Sequence, residues 1–77
     1  MHAREIALLL RALVFEYRDR KEGKDPKQIY ASADVFASLK AEKDPLLAVK
    51  SIGAGYTFDN VAIEPKPTQL LPFVLRP

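Results

Sequence analysis

Residues 56–63 read Tyr56-Thr57-Phe58-Asp59-Asn60-Val61-Ala62-Ile63, and this run decides the fold class. Aromatic and β-branched residues alternate with small or polar ones on either side of Asp59-Asn60. A two-residue turn there pairs Phe58 with Val61 and Tyr56 with Ile63, so that all four share one face. Asp and Asn tolerate the positive φ that a type I′ turn requires. The segment is therefore expected to be a β-hairpin, and the chain must supply something apolar to cover it.

On the N-terminal side, Gly53-Ala54-Gly55 reads as a flexible break. Before it, Leu47, Val49 and Ser51 alternate with Ala48, Lys50 and Ile52, which predicts a strand over 46–52. Asp44-Pro45 stops a second helix expected over 33–43, with Ser32 as its N-cap, Asp34 in its first turn, and Val35, Phe36 and Leu39 buried. Gln28 to Ala31 reads as a short strand after a turn at Lys24-Asp25-Pro26-Lys27. On the C-terminal side, residues 65–77 form a proline-spaced apolar arm holding Pro65, Pro67, Pro72 and Pro77. It offers only an edge strand or an extended segment. Its Leu70, Leu71, Phe73, Val74 and Leu75 are expected to cover the sheet or to dock on a neighbour.

Residues 2–21 give the strongest helical pattern. Ile6, Leu10, Leu13 and Tyr17 recur at steps of four, three and four, flanked by Leu9 and Val14. Gly23 stands where a left-handed C-cap ends the helix, after a basic last turn. Arg4, Arg11 and Arg18 fall within about 40° of one another and are placed well away from the apolar stripe. Leu8 and Phe15, with Ala12 between them, project from nearly the opposite side. Two apolar stripes on one helix predict burial on both sides: one by the chain's own core, the other by a second subunit or by the apolar C-terminal tail of the same chain. The whole reads as a single α+β domain, with two helices on a small antiparallel sheet.

With 77 residues and no cysteine, the core is small and has no disulfide to reinforce it. The only histidine is His2, and no carboxylates have metal-ligand spacing, so neither a metal nor any other cofactor is expected. Self-association is left as the supplement, which predicts a homo-oligomer, a dimer or higher. Charged residues make up 29% and the net charge is +2, which demands neither nucleic acid nor disorder. The apolar run from Ile6 to Phe15 is broken by Arg11 and is shorter than a membrane span, so neither membrane insertion nor export is expected. The absence of cysteine makes a cytoplasmic location the default.

The acids Glu5, Glu16, Asp19, Glu22 and Asp34 lie among basic residues, as on a solvated face. Asp59 belongs to a turn and Glu64 to a strand end. Acid catalysis would need one of those two on the rim of a pocket. Gly53-Ala54-Gly55 lacks the lysine and following helix of a phosphate loop. No catalytic residue is therefore assigned. The competing reading is a nucleic-acid-binding regulator using Arg4, Arg11, Arg18, Arg20, Lys21, Lys24 and Lys27. Residues 18–27 hold five basic and three acidic residues, which makes that cluster weak.

From Gln28 the order of residues is also suggestive. Gln28-Ile29-Tyr30-Ala31-Ser32-Ala33-Asp34-Val35-Phe36-Ala37-Ser38-Leu39-Lys40, then Asp44-Pro45-Leu46-Leu47, then the run 56–63, resembles the strand, helix and hairpin module in the peripheral part of tailed-phage major capsid proteins. Similar runs occur in small phage- and prophage-encoded proteins. The match rests on apolar spacing and departs at Asn60-Val61-Ala62, where that family typically shows Gly-Val-Pro. The resemblance implies a structural or accessory protein with no catalytic residues, with other phage structural proteins as partners and a virion-associated location.

Overall fold

The computed structural model describes residues 3–77; His2 lies outside them. Among the described residues the chain forms α1 (Ala3–Arg20), β1 (Gln28–Ala31), α2 (Ala33–Ala41), β2 (Lys50–Ile52), β3 (Gly55–Phe58), β4 (Val61–Pro65) and β5 (Phe73–Arg76). The five strands make one sheet in the order β2-β3-β4-β1-β5. The fold is α+β. Three pairings are antiparallel; β1 and β4 run parallel, with Ile29 opposite Ile63. The sheet is thus mixed where the pattern suggested an antiparallel one.

The hairpin forms with the expected register, Tyr56 opposite Ile63 and Phe58 opposite Val61. Asp59 and Asn60 take φ of 49° and 65°, the pair of left-handed conformations that a type I′ turn demands. Its handedness matches the twist of the flanking strands, and Phe58, Val61 and Ile63 are buried. The segment before it departs from expectation. Only residues 50–52 are strand, because Asp44 accepts from the Leu46 and Leu47 amides and turns the chain. Leu47 is still delivered to the core. Gly53, at φ 53°, opens the two-residue link to β3.

α2 begins at Ser32, whose Oγ accepts from the Val35 amide at 3.4 Å. It ends at Ala41, two residues early, because the Glu42 carboxylate takes the Lys43 and Asp44 amides, each at 3.1 Å. Pro45 also disfavours helix at Asp44. Phe36 and Leu39 are buried, Val35 packs at the margin, and the Phe36 ring meets Tyr56 edge to face at 5.2 Å between centroids.

The first helix is rotated from its expected seat. Its buried residues are Ile6, Ala7, Leu10 and Val14, whereas Leu13 and Tyr17 are half-buried and Leu9 is exposed. At 100° per residue the buried arc is centred about 40° away from the Ile6-Leu10-Leu13-Tyr17 stripe, towards Ala7 and Val14. The cause is close approach: Ala7 and Leu10 are fully inaccessible, so the small side chain lets the helix settle on that side. As a consequence the Arg4, Arg11 and Arg18 seam is not remote from the core. Arg11 and Arg18 stand at its border and are themselves half-buried.

The C-cap is also displaced by one residue. The Gly23 amide bonds to the Arg18 carbonyl at 2.7 Å, a six-residue closure that puts Glu22, not Gly23, at the first left-handed position. Glu22 has φ 55° and Gly23 φ 85°.

Residues 65–77 stay with their own chain. β5 pairs with β1, and the Ser32 amide bonds to the Pro72 carbonyl at 3.1 Å. Phe73 and Leu75 pack against the core, while Leu70 is 98% and Leu71 62% exposed. Both helices share one core with one face of the sheet; Gln28, Tyr30, Ala62, Glu64 and Arg76 alternate onto the other. No helix among the described residues is long and apolar enough to cross a membrane.

Candidate interaction surface on the first helix

The arc of α1 that points away from the core carries Leu8, Ala12 and Phe15. Leu8 is 49% and Phe15 53% exposed, and Ala12 is exposed between them. Their mean direction lies roughly 160° from the centre of the buried arc, so nothing in the helix itself shields them. The C-terminal arm does not cover them either: its strand is hydrogen-bonded to the far edge of the sheet beside β1. Leu9, 45% exposed, widens the patch on one flank.

Charged groups frame this surface. On one side the Arg11 guanidinium carbon stands 5.5 Å from the Phe15 ring centroid and that of Arg18 6.0 Å. On the other side stand Glu5 and Glu16, both exposed. A shallow depression bounded by Phe15, Arg18, Asp19, Glu22 and Gly23 continues the patch past the end of the helix. An apolar centre with aromatic and arginine side chains at its border is the composition of an interface core and its rim.

Arg18 fixes the position of this end of the helix. Its Nη1 donates to Asp59 Oδ2 at 2.9 Å, its Nη2 donates to the Asp59 carbonyl at 2.9 Å, and its Nε donates to Asp25. The guanidinium therefore ties α1 to the loop before β1 and to the β3–β4 turn. Its pKa is raised, first by the hydrogen bond to Asp25; partial burial opposes the rise and the Asp59 charge adds to it. Arg18 is thus a structural cation.

The other basic residues are dispersed. Arg4 reaches Glu42 at 3.7 Å and Arg20 reaches Glu16 at 3.8 Å, while Lys21, Lys24 and Lys27 are exposed around the cap and the following loop. Three of the seven cations assigned to nucleic acid thus face acids of their own chain. Asp59 is occupied by Arg18, and Glu64 is exposed on the uncovered face of the sheet beside Gln28 and Ala62. No group of three or more His, Cys, Asp or Glu suited to a metal ion occurs among the described residues.

Sequence reading missed two constellations. The Arg18–Asp59 pair spans 41 residues, and no local pattern announces it. On the uncovered sheet face, Lys66 Nζ lies 4.3 Å and the Arg76 guanidinium 5.9 Å from the Tyr30 centroid. Strand alternation in Gln28-Ile29-Tyr30-Ala31 places Tyr30 opposite the buried Ile29, so that much was available as a signal. Comparison with protein-family models, curated proteins and solved structures yields no match to this chain.

Proposed function

We propose that this protein is a non-enzymatic, self-associating structural or accessory component, encoded by a phage or prophage, whose α1 makes the subunit contact through Leu8, Ala12 and Phe15. The observation that carries the proposal is the half-exposure of Leu8 and Phe15 on the arc of α1 opposite its own core. A domain of 77 residues has little apolar material to spare, and two large apolar side chains held in water by a regular helix are best accounted for by a partner. The strand, helix and hairpin order of β1, α2 and β3–β4 is the order expected of a phage structural module, and it supports that origin. Such a component works in the cytoplasm or within the virion, beside other phage structural proteins.

Phosphate binding by the basic residues is the weaker reading, because Arg4, Arg18 and Arg20 already face Glu42, Asp25 with Asp59, and Glu16. Light scattering across a concentration series tests the proposal. Wild-type protein is expected to exceed the monomer mass at high-micromolar concentration, and Phe15→Asp to be monomeric with an unchanged circular dichroism spectrum. A monomer at every concentration overturns the proposal, as does an oligomer indifferent to Phe15→Asp.

A further inference from the structure

Resting on that self-association, we infer that two copies meet through α1 in parallel, about a two-fold axis running along the helices, with Arg11 of each facing Glu16 of the other. Charge placement along α1 sets the direction. Leu8, Ala12 and Phe15 are spaced four and three apart and define a seam. Arg4, Arg11 and Arg18 run along one edge of that seam. Glu16 borders the other edge, with Leu9 alongside, and Glu5 falls just inside it, three residues before Leu8 in the seam. The two edges thus differ in sign.

The symmetry of a helix pair decides which edges meet. A two-fold axis perpendicular to the helices makes them antiparallel and turns each edge onto its own copy. With Ala12 at the centre, Arg11 then faces Arg11 of the partner subunit, and the Glu16 edge faces itself. An axis parallel to the helices crosses the edges instead. Arg11 then meets Glu16 five residues further along the partner, the spacing at which flanking charges of a parallel pair interact. Symmetry forms that contact twice.

The groups required are free to make it. The Arg11 guanidinium has no acid partner among the described residues and lies against the Phe15 ring, at the rim of the seam. Glu16 is held only by Arg20, at 3.8 Å between largely exposed side chains, a pairing of little strength that exchanges readily. Arg4 already reaches Glu42, and its stem lies along the edge that would cover Leu9 of the partner subunit. Glu5 and Asp19 occupy the seam beyond the apolar centre. They oppose acids in either orientation, so they limit affinity without choosing the direction.

Because the chain contains no cysteine, a single introduced thiol reports the orientation directly. In the parallel arrangement Glu5→Cys stands beside its own copy and oxidises to a disulfide-linked dimer. In the antiparallel arrangement centred on Ala12 the two sites are about 21 Å apart along the helices, far outside disulfide reach. The expected result is an efficient cross-link that disappears when Phe15→Asp is added to the same chain. Arg11→Glu or Glu16→Arg alone should weaken association by roughly tenfold, and the two together should restore it. A wild-type dimer that Phe15→Asp dissolves but Glu5→Cys does not cross-link overturns the parallel orientation and leaves self-association standing. A protein that never associates overturns both.

Discussion

Replacing Arg18 with methionine keeps most of the aliphatic stem and deletes three donors at once. The side chain is 23% exposed, its acceptors Asp59 and Asp25 are 28% and 49% exposed, and water re-enters readily to solvate the abandoned carboxylates. Full values for charge-assisted hydrogen bonds are therefore too large, and about 0.5–1 kcal/mol for each contact is appropriate at this exposure. Three contacts give a loss of roughly 1.5–3 kcal/mol, against a total stability of about 4–12 kcal/mol for a chain of this length. Urea unfolding followed by circular dichroism measures it, with the slope unchanged and the midpoint lowered. Because the guanidinium pKa is raised in the folded state, its stabilisation is complete at all pH below the ordinary arginine value and disappears only above it, in strong alkali. The deficit of Arg18→Met attributable to arginine ionisation should accordingly be flat from pH 6 to 8. A double-mutant cycle with Asp59→Asn should show coupling of about 1 kcal/mol. Strict additivity, or a loss under about 0.5 kcal/mol, would refute the view that this guanidinium clamps the helix to the turn.

Other outcomes follow from the core and the backbone. Leu10 is fully buried and Leu13 only half, so Leu10→Ala should cost about 2–5 kcal/mol and Leu13→Ala markedly less, which thermal unfolding of the pair compares directly. Glu22→Gly relieves a left-handed non-glycine residue and should raise stability by about 0.5–1 kcal/mol; Gly23→Ala should lower it by a similar amount. Asn60→Gly, at φ 65° in the hairpin turn, should likewise stabilise by about 0.5–1 kcal/mol in the same assay.

What the sequence disclosed was local. The Asp59-Asn60 turn, its register and the Ser32 cap depend on residues a few positions apart, and each formed as the side-chain chemistry requires. The parallel pairing of β1 with β4 joins segments more than thirty residues apart, and its short strands carry no mark of direction. The seat of α1 could not be read from the largest side chains, because a small residue, Ala7, is fully buried on the side towards which the helix is rotated. That same rotation brought Arg18 to the core border and within reach of Asp59. The outward stripe of Leu8, Ala12 and Phe15 was legible because it lies opposite either choice of seat. Tyr30 and its cations escaped notice because the uncovered face of a sheet has meaning only after the covered face is known.

In the proposed assembly, copies of this chain meet on the outward arc of α1. A concentration series of amide NMR spectra tests it residue by residue. The signals of Leu8, Ala12 and Phe15 are expected to shift progressively with concentration while those of β2 and β5, the two open sheet edges, hold still. Concentration-dependent shifts confined to Phe73–Arg76 or Lys50–Ile52, with Leu8 and Phe15 unmoved, would contradict it.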